Sequence, residues 1–126
     1  MDGNAPPKPA RSKRGTYHKP NGPWKPAKAT AEIRKRARAS DLKPWWTTHL
    51  KERLAERDLI IGDVLHVLKY GFVYEQPKES SRGNLFKYLI DGKSPNSGNR
   101  ELRVVAIPEP DKNEIKVVTV MWVDEK

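Results

Sequence analysis

The hydrophobic period of this chain changes once, at Gly71, and that change constrains the fold more than any other feature. In the preceding run THLKERLAERDL, residues 48–59, Leu50 and Leu54 stand four apart with Ala55 beside them. That spacing lays an apolar stripe along one side of a helix. Thr47 or Thr48 can cap it. Gly62 and Asp63 introduce a second short helix, in which Val64, Leu65, Val67 and Leu68 point inward and Gly71 supplies a left-handed ending. Beyond Gly71 the period falls to two, and residues 72–74, 85–90, 102–107 and 115–123 read as strands separated by turn residues. A helical hairpin followed by a strand meander predicts an α+β fold: N-terminal helices packed on one face of a four-stranded antiparallel twisted sheet, with the other face free. The connection DGKSPNSGNRE is longer than a tight hairpin requires, and loops of that length often carry function.

Charge divides the chain differently. The net charge is +9, yet twelve of the 25 basic residues and three of the 16 acidic ones precede Trp45, so the whole excess lies in the first third. Residues 1–26, rich in Pro, Lys and Gly, hold too few apolar side chains to offset the entropy of ordering them, and a disordered basic tail is expected. Residues 27–44 read as a basic helix and linker, the helix running over about residues 31–39 with Thr30 as its N-cap. Ile33 and Ala37 can dock that helix, leaving Arg34, Lys35, Arg36 and Arg38 wet, either as a solvated face or in contact with nucleic acid. Residues 45–126 form the folded domain. Trp45 and Trp46 open it as a short extended piece expected to cover the core; the alternative is that they and Trp24 stack on unpaired bases.

Several chemistries are excluded. The chain has no cysteine, hence no thiolate ligand or nucleophile. It holds neither a P-loop nor a Rossmann glycine triplet, and its three histidines lack metal-ligand spacing. The serines cluster in turns without a nucleophile elbow. No cofactor is expected. The absence of a membrane-spanning stretch and of a secretory apolar run leads us to expect a cytoplasmic protein without a membrane partner.

His49, Arg53 and Arg57 recur at four-residue spacing and share one side of the first hairpin helix, bordering the Leu50 and Leu54 stripe. Their structural reading is pairing with Glu56 and packing at the helix start. The pattern THLKERLAERD, followed by an apolar partner helix ending KYG, resembles the DUF4258 family, grouped with RelE-like toxins in the barnase, colicin E5 and RelE class of ribonucleases. The resemblance covers about residues 47–123 and is sharpest at His49, Glu52, Arg53, Glu56, Arg57, Asp63, Val64 and Gly71. It implies helices on a sheet and, in active members, metal-free RNA cleavage through attack of the 2′-hydroxyl on the adjacent phosphate. A base, an acid and cations around the phosphate are then required.

Under that resemblance His49 is the candidate base or acid, Arg53 and Arg57 the phosphate clamp, and Lys87 or Tyr88 a sheet contribution to the cleft. Arg34, Lys35, Arg36, Arg38, Arg100, Arg103 and Lys116 are the candidate nucleic-acid contacts. The implied partners are RNA or the ribosome and a cognate antitoxin. Two functions follow as expectations: a toxin-like metal-independent endoribonuclease, or a non-catalytic RelE-like module that binds RNA or protein.

Overall fold

The computed structural model describes residues 23–81, 83 and 85–125. Helix α1 (Pro26–Arg38) starts on a proline, whose missing N–H is an unpaired donor position at a helix start in any case. Strand β1 (Lys43–Trp46) follows, then α2 (Thr48–Glu56) and α3 (Ile61–Tyr70). The rest is sheet: β2 (Phe72–Val73), β3 (Lys78–Glu79), β4 (Phe86–Gly92), β5 (Leu102–Pro108) and β6 (Glu114–Trp122). The strand order is β1-β6-β5-β4-β2, with β3 paired to β4 off that path.

The expected α+β class holds, but the sheet has six strands rather than four. The four expected strands are β2, β4, β5 and β6, which pair antiparallel. The additions are β3 and β1, and β1 lies parallel to β6 with Trp45 opposite Lys116 and Trp46 opposite Val117. Pro44 on this edge strand lacks an N–H, which discourages another strand from pairing there. At the opposite edge α1 covers β2: the Val73 N–H donates to Thr30 Oγ1 at 2.9 Å.

All three helices contribute to one buried core. Alternation along the strands, with a register shift on β6 between Val117 and Thr119, puts Tyr88, Ile90, Val104, Ala106, Val117 and Val120 beneath the helices, where they meet Ile33, Leu50, Val64, Val67 and Leu68. Thr47 caps α2, its hydroxyl accepting from the Leu50 N–H at 3.0 Å. Leu65 is only half-buried and Ala55 exposed, so the hairpin buries a narrower stripe than expected.

Three local expectations need correction. Thr30 is not an N-cap; α1 starts at Pro26, and the Thr30 hydroxyl donates to the Pro26 carbonyl one turn back. The expected tail lies outside the described residues up to residue 22, but Trp24 within it is buried, stacked on Tyr88 at 5.6 Å between ring centroids. Gly71 is not left-handed: its φ is −80° and its ψ −177°, an extended exit from α3.

Candidate functional site

The face of the sheet opposite the helices carries a cleft of about 480 Å³, inside the range usual for small-molecule sites. Its walls come from four places in the chain. β1 and the start of α2 bring Trp45, Trp46 and Thr47; the β3–β4 connection brings Ser80, Ser81 and Leu85; the end of β5 brings Ile107 and Glu109; the following turn and β6 bring Lys112, Glu114 and Lys116.

Trp45 dominates the cleft. Strand alternation separates the tryptophan pair, so Trp46 packs against the core while Trp45 turns to the open face and stays 59% exposed. Its indole N–H donates to Glu114 Oε1 at 3.3 Å, which fixes the ring at the cleft wall. In register beside it stand Lys116 on β6 and, beyond that, Ile107 on β5. Among the described residues Lys112 and Lys116 form no ion pair. Among the described residues the lining holds two carboxylates, Glu109 and Glu114, and two ammonium groups, Lys112 and Lys116, whose charges balance.

The residues singled out in the sequence do not converge. His49 is exposed in the first turn of α2, two residues along the chain from the cleft-lining Thr47. Arg53 donates to Glu56 at 2.7 Å, and Arg57 donates to both oxygens of Glu125 at 3.0 and 2.5 Å. The bond from Arg53 holds the Glu56 carboxyl below its usual range, and that from Arg57 does the same for Glu125. The reading of Arg53 and Arg57 as an internally paired edge of α2 therefore describes their geometry. Lys87 and Tyr88 point to opposite faces of β4. Tyr88 is buried under α1, where burial raises its pKa and its oxygen accepts the Trp24 N–H at 2.8 Å. Lys87 is on the open face but outside the cleft lining.

The basic residues are largely used by the fold itself. Arg36, expected to be wet, is buried, because position 36 shares the docking face with Ala29, Ile33 and Ala37. Its guanidinium donates to Glu32 at 2.6 Å and to the carbonyls of Glu109 and Pro110 at 3.1 and 2.8 Å, beneath the Trp24 ring. Arg34 and Arg38 donate to the carbonyls of Lys69, Tyr70 and Gly71, which a helix end leaves without partners. Lys35 stays exposed near Glu32. Arg103 makes two 2.9 Å bonds to Asp91, and Arg100 pairs with Asp124 while lying over Trp122. Of the seven candidates Lys116 alone lines the cleft.

The long β4–β5 loop is also structural. Asp63 lies one turn into α3 and is 1% exposed. It accepts from the Ile60 N–H at 2.9 Å, the Ser94 hydroxyl at 2.8 Å and both nitrogens of Asn96 at 3.3 Å. One carboxylate thus caps α3 and fastens the loop to it.

The family model described as "Domain of unknown function (DUF4258)" matches residues 46–122, from the last residue of β1 to the end of β6. The chain belongs to the DUF4258 family. No curated protein and no solved structure matches it. The DUF4258 match leaves out α1, although Ala29, Ile33 and Ala37 belong to the same core as the domain's helices. Among the described residues no group of three His, Cys, Asp or Glu side chains is placed to hold a metal ion, and no helix is long and apolar enough to cross a membrane.

Proposed function

We propose that this chain is a RelE-like module that binds single-stranded RNA in the cleft on the open face of its sheet. The observation carrying this reading is the exposed, hydrogen-bonded Trp45 ring in a concave site beside Lys116, which forms no ion pair among the described residues. A nucleotide joins the three features such a site accepts: a flat ring to stack on tryptophan, edge donors for Glu109 or Glu114, and a phosphate for Lys112 or Lys116. Because the cleft is balanced in charge, long-range attraction comes from outside it. Residues 1–22 hold five Lys or Arg against one Asp and supply it by phosphate neutralisation.

The test is fluorescence anisotropy with a labelled single-stranded oligoribonucleotide. Trp45→Ala removes one stacking platform and is expected to weaken binding about tenfold or more. Lys116→Ala weakens it several-fold and flattens the dependence of log K on log salt by about 0.7. Deleting residues 1–22 lowers affinity and salt dependence while the tenfold loss from Trp45→Ala persists. The deletion stops there because Trp24 and α1 belong to the core. Parent-like binding by Trp45→Ala would dispose of the cleft as the site.

A second reading, the toxin-like endoribonuclease, draws on the carboxylates of Glu109 and Glu114 in the same cleft and on His49 near its wall in the chain. A carboxylate can take the proton of the 2′-hydroxyl as its oxygen attacks the phosphorus, a lysine can stabilise the crowded phosphate, and His49 can give a proton to the 5′-oxygen as its bond to phosphorus breaks, all without metal. Under this reading the parent cuts RNA in EDTA, and Glu114→Gln or His49→Ala reduces the rate by about a hundredfold. Intact RNA after prolonged incubation with the folded parent leaves a binding protein. A cognate antitoxin belongs to this reading alone.

A further inference from the structure

The β2 edge of the sheet, outside the cleft lining, carries an exposed aromatic strip. Tyr70 closes α3, and Phe72 and Tyr74 follow it two and four residues on; they are 55%, 49% and 64% exposed. Two groups make up the strip: His66 lies 4.8 Å and Arg38 5.0 Å from Tyr70, while Arg34 lies 4.5 Å and Tyr74 6.1 Å from Phe72, all measured to ring centroids, and Arg34 joins them by donating to the Tyr70 carbonyl. Large apolar side chains clustered in this way on a surface mark a contact for another molecule.

Charge and geometry define the occupant. Arg34, Arg38 and Lys69 border the strip, and among the described residues none of them pairs with a carboxylate. Arg34 and Arg38 each use Nε and one terminal nitrogen on the carbonyls at the end of α3, which leaves Nη1 of each without a partner among the described residues. The strip is therefore cationic and apolar together. Base stacking fits Tyr70 and Phe72 poorly, because Tyr70 is already flanked by His66 and Arg38, and Phe72 by Arg34 and Tyr74, so a base would have to displace one of them; Tyr74, with one ring neighbour, stays open. Ring edges and planar cations suit aliphatic or aromatic side chains and single carboxylate oxygens.

We propose that this strip docks a segment of a partner protein in which apolar side chains are interspersed with Asp and Glu. The surface is separate from the RNA cleft, so the two proposals stand independently. The probe is a short synthetic peptide in which Leu and Phe alternate with Asp and Glu, titrated into the isotopically labelled full chain while backbone amide shifts are followed. Shifts centred on residues 66–74 are expected, with no change at Trp45 or Lys116. The double variant Lys69→Glu, Tyr74→Ser, confirmed as folded by circular dichroism, should bind about tenfold more weakly. Absence of shifts in the parent at millimolar peptide overturns the proposal, as does equal binding of an all-acidic peptide with Ser at the apolar positions. Shifts centred on the cleft, a stronger response of residues 66–74 to oligouridylate, or shifts that grow with protein concentration alone also overturn it, in favour of another site, an RNA surface and self-association respectively.

Discussion

Replacing Asp63 by alanine should cost about 3 kcal/mol of stability and lower the melting temperature by roughly 15 °C in a domain of this size. The loss has two sources. The first turn of α3 loses the acceptor for the Ile60 N–H, worth about 1 kcal/mol as a cap. The Ser94 hydroxyl and the Asn96 nitrogens lose the carboxylate that satisfies them, and a buried donor left unpaired costs about 1–3 kcal/mol. Thermal unfolding followed by circular dichroism measures the effect. A change below about 1 kcal/mol would mean that the β4–β5 loop is not held through this carboxylate.

The same group sets a pH dependence. Burial opposes ionisation of Asp63, but the Ile60 N–H, the Ser94 hydroxyl and the Asn96 groups together outweigh it and hold its pKa below the ordinary value of 3.8. A folded-state pKa below the unfolded one means that the ionised carboxylate stabilises the protein above the unfolded value. That contribution is lost as pH falls through the folded pKa. The gap in stability between the parent and Asp63→Asn should therefore be widest at neutral pH and narrow as the solution is made more acid than pH 3.8. A constant gap across that range would contradict the assignment.

Gly71→Ala should destabilise the domain by about 3 kcal/mol, as overpacking against rigid groups does. The cause is not backbone conformation, since an L residue tolerates φ near −80°. A Cβ here would lie 2.7 Å from the carbonyl oxygens of Asp91 and Val67 and 2.9 Å from Ile90 Cγ2. Two of those three atoms are backbone, one in β4 and one in α3, and relief would require the helix to move off the sheet. Gly62 gives the contrast. Its added Cβ would approach nothing closer than 3.6 Å, so Gly62→Ala, within helix α3, should stabilise by roughly 0.5–1 kcal/mol. Denaturant titration of the two variants separates the cases, and a Gly71→Ala protein as stable as the parent would remove close approach as the reason for this glycine.

Residues of like legibility in sequence parted ways in the fold. Leu50, Leu54, Val64 and Leu68 were readable as core from helical spacing, because burial along one helix is a local property. The alternation of Lys87 and Tyr88 was equally plain, but which of the two faced the helices was not. Trp45 and Trp46 form one apolar pair in sequence; pairing of β1 with a strand some seventy residues away, in parallel, packed Trp46 against the core and left Trp45 exposed in the cleft. A signal was available: a Pro-Trp-Trp run in an extended piece must alternate, so one ring had to face away from the core. The cationic candidates went furthest astray. Helical spacing put Arg36 on the face of Ile33 and Ala37, but the carbonyls of Glu109 and Pro110 that let a guanidinium be buried there come from across the fold.

What the sequence determined by itself was the class of fold, the two hairpin helices, the four main strands and the confinement of excess charge to the first third of the chain. These depend on period and composition, which act over a few residues at a time. Tertiary structure decided how each polar group is used. Whether an arginine is spent on a carbonyl, paired with a carboxylate or left free for a ligand depends on what the rest of the chain brings within about 3 Å of it, and hydrogen bonds at that range are set by packing between distant segments. Arg36 and Arg103 were consumed in this way and Arg34 and Arg38 in part, while Lys116 beside Trp45 has no such partner among the described residues.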